Sequence, residues 1–227
     1  SHQFDGLETR HWNRWRVVTE SGRAMCQAGQ YPYARIKSGD VYRTAEAVLR
    51  DAPNADLRAG VRVTECGPRQ IVTDSGETFD FDVVFDGRPP QGHRPEFVQR
   101  FVGRRVRTAR PAFDPETVDL MDFRLPQHLG VTFSYVLPES ATEAVVEATV
   151  FARRPVSDRE LDAAFDSALG LLDLEPRDVD ILGEERGAVP MSPFPPRQAP
   201  GGAIPIGTRA GAPRGSTGYA FLAIQRH

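Results

Sequence analysis

The sequence predicts an α/β fold with α+β character, and three observations carry that prediction. Helix and short-strand signals alternate through the first part of the chain, a strongly β-forming antiparallel pair occupies the middle, and an amphipathic helix with its own start signal follows that pair.

The first helix is expected to be capped by Asp40 and to run through Tyr42, Ala45, Val48 and Leu49, ending near Pro53. Val61 to Thr64, Arg69 to Thr73 and Thr78 to Phe85 then read as three short strands, with Asp74-Ser75-Gly76 as the turn between the second and third. The third ends Val83-Val84-Phe85-Asp86-Gly87-Arg88, an apolar run stopped by Asp-Gly. A strand in an α/β fold delivers a loop to a ligand crevice in this way, and a plain core strand ending in a turn has the same pattern.

Val131 to Leu137 and Ala144 to Phe151, joined by a turn at Pro138 to Thr142, have the length, β-branched content and alternation of an antiparallel pair. Side chains alternate across a strand, so Ala144, Val146, Ala148 and Val150 share one wholly apolar face. Val145, Glu147, Thr149 and Phe151 share the other. If a lid or an apolar ligand covers that second face, Glu147 is desolvated, its pKa rises, and it becomes an acid able to donate a proton near neutral pH. On spacing alone, a glutamate on the wet side of a half-exposed sheet is the commoner arrangement.

Ser157-Asp158-Arg159-Glu160 is a capping-box pattern that opens a helix through Leu161, Ala164, Phe165, Ala168, Leu171 and Leu172, read as scaffold. Pro190 to Pro205 is proline-rich and reads as a long loop. A glycine-bearing segment from Gly201 to Gly218 follows, where Ser216-Thr217-Gly218 are placed to start a helix at Tyr219. No G-x-G-x-x-G, G-x-x-x-x-G-K-[ST] or G-x-S-x-G occurs anywhere. Glu184 and Glu185 are expected before a tight turn at Gly187, with Glu185 facing an arginine such as Arg88.

Composition narrows the functions further. With 227 residues and a formal net charge of −3, the chain can bury a sizeable core and gives no electrostatic reason to bind nucleic acid. Lys37 is the only lysine, a compositional bias without functional content. Cys26 and Cys66 are far apart and lack histidines at ligand spacing, so neither a metal site nor a disulfide framework is signalled, and a reducing, cytoplasmic compartment is expected. No apolar run approaches the roughly 20 residues that span a bilayer. His11, His93 and His128 read as surface or hydrogen-bonded structural residues, and Trp12 and Trp15 as core packing, with interfacial anchoring the alternative.

Several segments, in order, resemble bacterial lycopene cyclases: Gln99-Arg100-Phe101-Val102-Gly103, Leu120-Met121-Asp122-Phe123-Arg124, Phe133-Ser134-Tyr135-Val136-Leu137-Pro138 and Val146-Glu147-Ala148-Thr149-Val150-Phe151. The series continues through Glu184-Glu185-Arg186-Gly187-Ala188-Val189-Pro190-Met191 and Ile206-Gly207-Thr208-Arg209-Ala210-Gly211 to Ser216-Thr217-Gly218-Tyr219, covering about Trp15 to Arg226.

The resemblance implies a flavoprotein-like fold with an antiparallel substrate-domain sheet over residues 92–195, an incomplete parallel nucleotide-binding sheet, and a flavin-contacting segment over 196–227. It implies acid-initiated, redox-neutral cyclisation of an acyclic polyene end, with Glu147 in an Glu-x-Thr motif as the proton donor and reduced FAD facing the cation. Gly207, Gly211, Thr217 and Gly218 are the implied cofactor contacts. A second acid often follows the family's glutamate, and Ala148 stands there instead. Without the family's N-terminal glycine-rich turn, FAD is expected to bind this chain weakly or not at all. The hydrophobic substrate implies peripheral contact with the inner face of a membrane. Two other functions fit the same superfamily: a truncated or non-catalytic homologue that holds a hydrophobic ligand, and a flavin monooxygenase or polyprenyl reductase.

Overall fold

The structure, a computed structural model, describes residues 6–88, 97–191 and 202–224. In chain order it runs through β1 (Glu8–Trp12), β2 (Arg14–Thr19), β3 (Gly22–Gln27) and β4 (Tyr33–Ile36) to helix α1 (Ser38–Asp51). Short strands follow: β5 (Val63–Cys66), β6 (Gln70–Thr73), β7 (Thr78–Asp80) and β8 (Phe85–Asp86). Longer ones come next: β9 (Val98–Thr108), β10 (Thr117–Asp122), β11 (Val131–Pro138) and β12 (Glu143–Ala152). Helix α2 (Asp158–Gly170), strand β13 (Val179–Pro190), strand β14 (Ile204–Pro205), a 3-10 turn over Gly207–Ala210 and the short α3 (Phe221–Ile224) complete the chain. Contacts divide it into two compact units, residues 1–55 with 99–188 and residues 56–98 with 189–227.

The first unit is organised on a seven-stranded sheet in the order β13-β9-β12-β11-β10-β2-β3. The expected hairpin is its centre: β11 and β12 pair antiparallel without a break from Val131↔Phe151 to Pro138↔Ala144. One edge is mixed, because β10 lies antiparallel to β11 but parallel to β2. The apolar face of β12 packs against α2, where Val146 and Val150 meet Leu161, Phe165 and Leu169 in one buried cluster with Val102 and Val106 of β9. Each such side chain removed from water contributes about 1.5–3 kcal/mol, enough to fix which face of the sheet the helix covers. The capping box forms as the sequence requires, with Ser157 Oγ accepting from Glu160 N and the Glu160 carboxylate accepting from Ser157 N. Arg104 of β9 ties the helix side down, reaching Glu184 of β13 at 2.7 Å and lying 4.4 Å over the Phe165 ring. Helix α1 buries none of its residues.

In the second unit β5, β6 and β7 form a small antiparallel sheet, and β8 pairs in parallel with β14. Ile204 N donates to Val84 O and Ile206 N to Asp86 O, so the parallel element is two strands wide among the described residues.

Several expectations need adjustment. Asp40 lies inside the first turn of α1 and pairs with Arg43, because the helix begins two residues earlier, with Lys37 at the N-cap and no side-chain cap. The strand expected over Thr78 to Phe85 is two strands, since Phe81 N and Val84 N turn to the carbonyls of Arg69 and Pro68. Gly187 is no tight turn: β13 runs straight through it. His11 and His128 are exposed, while His93 and the 192–201 part of the proline-rich segment lie outside the described residues. Trp12 is 1% exposed, with Nε1 donating to Pro138 O at 3.2 Å, which makes it a core residue. Among the described residues no helix is long and apolar enough to cross a membrane.

Candidate functional site

Glu147 stands near the middle of β12, directly across from Tyr135 of β11. The strand's pleat decides its direction. With Ala144, Val146, Ala148 and Val150 committed to α2, Val145, Glu147, Thr149 and Phe151 must project from the opposite face.

On that face the carboxyl is half-buried and held from three sides. Thr149, fully buried two residues on, donates from Oγ1 to Glu147 Oε1 at 2.8 Å. On the neighbouring strand β9, Gly103 leaves the space the side chain needs, for a Cβ there would sit 3.2 Å from Glu147 Oε2 and 3.6 Å from its Cβ and Cγ. Tyr33 of β4 comes from the ribbon that β4 forms with β1, its ring 6.2 Å from Trp12. Beyond Tyr135 the face is aromatic: Phe133 has Phe123, Tyr135 and Phe151 around it, each at 5.3 Å between ring centres.

The electrostatics follow from that packing. Burial pushes the Glu147 carboxyl above the usual carboxylate range, the Thr149 hydrogen bond pulls part of the way back, and the charge of Glu185 pushes it up again. Burial, followed by the nearby Glu147 carboxylate, raises the hydroxyls of Tyr33 and Tyr135 in turn. A carboxyl whose neutral form is favoured by burial beside aromatic rings is a group suited to hand a proton to an apolar partner.

The four glycine-segment candidates lie in the second unit. Gly207 opens the 3-10 turn at φ +59°, with nothing within 4 Å of where a side chain would stand. That is backbone which admits a ligand at close range. Gly211 ends the turn in the left-handed conformation. The N–H groups of Thr217 and Gly218 are both spent on Arg214 O, at 3.2 and 2.8 Å, and Thr217 Oγ1 accepts from Tyr219 N. The expected helix starts only at Phe221 and lasts four residues.

A charged knot that sequence reading missed anchors the same unit. Asp86, at the end of β8, takes Arg88 Nε and Nη2 at 2.9 and 3.1 Å and Arg209 Nε at 3.3 Å. Arg88 also donates to Val63 O, so its partner is Asp86 rather than the expected Glu185. The Arg88 bonds hold the Asp86 carboxyl below its usual range, whereas burial raises the Cys66 thiol. Val63, Cys66, Val84 and Asp86 border an open hollow of about 330 Å³. No cluster of metal-ligating side chains exists among the described residues.

Comparison with solved structures defines the class of fold. The chain is similar to a geranylgeranyl bacteriochlorophyll reductase-like protein from Thermoplasma acidophilum, with TM-score 0.68 and 15% identity over 96% of this chain and 59% of that one. It is also similar to pqsL, a probable FAD-dependent monooxygenase from Pseudomonas aeruginosa, with TM-score 0.58 and 11% identity over 98% and 68%. The fold is thus a mixed α/β, flavoprotein-like one.

Within that class the chain belongs to the lycopene cyclase protein family, whose pattern it matches over residues 2–227. The lycopene beta-cyclase of Paracoccus sp. (strain N81106 / MBIC 01143) is 30% identical over 202 residues, covering 83% of this chain and 46% of that protein. The chain therefore spans about half the length of that curated relative.

Proposed function

We propose that this chain carries the proton donor of a carotenoid cyclase and that Glu147 is that donor. The observation behind the reading is the half-buried Glu147 carboxyl, raised in pKa on the face of β12 that α2 leaves free, between Tyr33 and Tyr135. Glu147 gives its proton to the terminal double bond of an acyclic polyene such as lycopene. A neighbouring double bond closes on the tertiary cation, and loss of a ring proton leaves the β-ionone ring.

Each step asks something of the residues present. Burial favours the protonated form of Glu147, and Thr149 orients the carboxyl. The rings of Tyr33 and Tyr135, the latter backed by the buried Phe133, offer electron-rich faces to positive charge and exclude water that would quench it. A reduced flavin, when bound, would supply negative charge without net electron transfer. Gly207 fits the approach of such a flat group, with open space above a left-handed backbone. Gly211, Thr217 and Gly218 fit it less directly, their N–H groups being already bonded to Thr208 O and Arg214 O. The substrate is lipid-dissolved, which places the protein at the face of a membrane.

Lycopene cyclisation by extracts expressing the chain, with and without an added N-terminal dinucleotide-binding segment, tests the reading. Ring formation by the wild type and its loss in Glu147→Gln are expected. Cyclisation that survives Glu147→Gln removes the donor role, and a wild type that forms no ring with the added segment overturns the cyclase reading.

A further inference from the structure

The Glu147 carboxyl is half-buried, and a donor that gives up its proton must be reloaded before the next turnover. The residue that follows it is Ala148, whose side chain is wholly buried on the opposite, helix-covered face. A relay to Glu147 has no partner at that neighbour and has to be sought on another strand.

The sheet order places β9 between β12 and β13. Two side-chain contacts fix how β13 lies beside β9. Arg104 Nε donates to Glu184 Oε2 at 2.7 Å, and the Phe101 ring covers Gly187, where a Cβ would stand 2.3 Å from Cε1. Residues 103 and 185 fall between those two contacts and, by alternation, share the face of Phe101 and Gly187. Gly103 is the residue whose missing side chain accommodates Glu147, so Glu147, Gly103 and Glu185 form a row across three strands with a gap in the middle. Glu185 is exposed and has no ion-pair partner among the described residues, in contrast to Glu184, which binds Arg104 and Arg186.

We propose that Glu185 is the proton-entry residue for Glu147, a solvent-facing carboxylate that reloads the donor across the gap at Gly103. The inference rests on the cyclase reading for its purpose, although not for its geometry. The two backbones are two strand spacings apart, about 10 Å, a span that two glutamate side chains and one water bridge. Protons balance as follows. Glu147 loses its proton to a polyene carbon, where a C–H bond forms, and is left as carboxylate. A proton from bulk water binds Glu185 and passes to Glu147, returning Glu185 to carboxylate, while the proton lost from the ring goes to solvent. Glu185 acts through Glu147 and is a positioning and relay residue.

The titratable groups facing Glu147 are Tyr135 from β11, Tyr33 from β4 and Glu185 from β13. Burial raises both tyrosine hydroxyls, so neither supplies a proton in the physiological range, and Glu185 is the exposed group of the three.

The test is a pH-jump infrared measurement on the intact chain, following the protonated Glu147 C=O band, which is assigned by its absence in Glu147→Gln. After a drop in pH the band is expected to return at least tenfold more slowly in Glu185→Gln than in wild type, and Glu185→Asp is expected to recover most of the rate. Equal rates in wild type and Glu185→Gln overturn the relay, as does a slowed rate that Glu185→Asp leaves unchanged. No turnover is needed, so loss of the cyclase reading shows separately, as an absence of ring formation by the wild type. Where the wild type does cyclise, Glu185→Gln is expected to slow steady-state turnover while sparing the first turnover after equilibration at low pH. A first turnover slowed as much as the steady state counts against the relay.

Discussion

Thr149 Oγ1 donates 2.8 Å to Glu147 Oε1 from two residues along the same strand face, and this bond opposes the effect of burial on the acid. It favours the carboxylate form. Thr149→Val, which keeps the shape and loses the donor, should therefore raise the Glu147 pKa further above the usual carboxylate range. A carbon-13 titration of the glutamate carboxyls reads the shift. The alkaline limb of any cyclisation profile should move up with it.

The raised pKa also has a stability consequence, with a definite sign. Between the ordinary glutamate pKa and the higher folded value, the folded state binds more protons than the unfolded one, so stability falls as pH rises through that interval. Glu147→Gln removes the ionisation. Thermal unfolding should therefore show the variant more stable than wild type at pH 8, with the difference gone at pH 4. Each unit of pKa displacement corresponds to about 1.4 kcal/mol at the upper end.

Asp86 behaves in the opposite sense. Its carboxyl is depressed by Arg88, so its contribution is present above the ordinary aspartate pKa and is lost as pH falls through the depressed value. Asp86→Asn should destabilise the second unit at neutral pH by about 2–3 kcal/mol, less than for a fully buried pair because Arg88 remains partly in water. Denaturant unfolding at pH 7 measures it, and the effect should shrink in acid.

Gly187 and Phe101 form a third testable pair. A methyl at Gly187 would meet the Phe101 ring at 2.3 and 2.4 Å, so Gly187→Ala should cost about 1–3 kcal/mol by forcing the ring aside. In Phe101→Ala the obstruction is gone. A double-mutant cycle of unfolding free energies should then give a coupling of about 1 kcal/mol or more, with the double variant more stable than the sum of the singles.

What the sequence makes legible here is local. Period-two alternation in β12 places Glu147 opposite the α2 face, and the Ser157–Glu160 box starts α2 where it begins. Strand β9 is harder to read because Arg100, Arg104 and Arg107 interrupt its apolar alternation, and their partners, among them Asp158, Glu184 and Glu143, lie far along the chain. The same distance hides the acid's surroundings. Tyr33 is more than a hundred residues from Glu147, and Glu185 reaches it only through the strand order that sets β9 between β12 and β13. The gap at Gly103 is visible only when its neighbour on β12 is known. Asp86 was readable as the end of a strand, but Arg209, its second cation, arrives from the other end of the chain through the β8–β14 pairing.

The central claim is that its buried setting keeps Glu147 a neutral acid to higher pH than an exposed glutamate. An equilibrium infrared titration of the protonated carboxyl band, comparing wild type with Glu147→Gln, tests it most directly. The account predicts a band specific to Glu147 that persists above the ordinary glutamate range. A band that vanishes at the pKa of an exposed glutamate would contradict it.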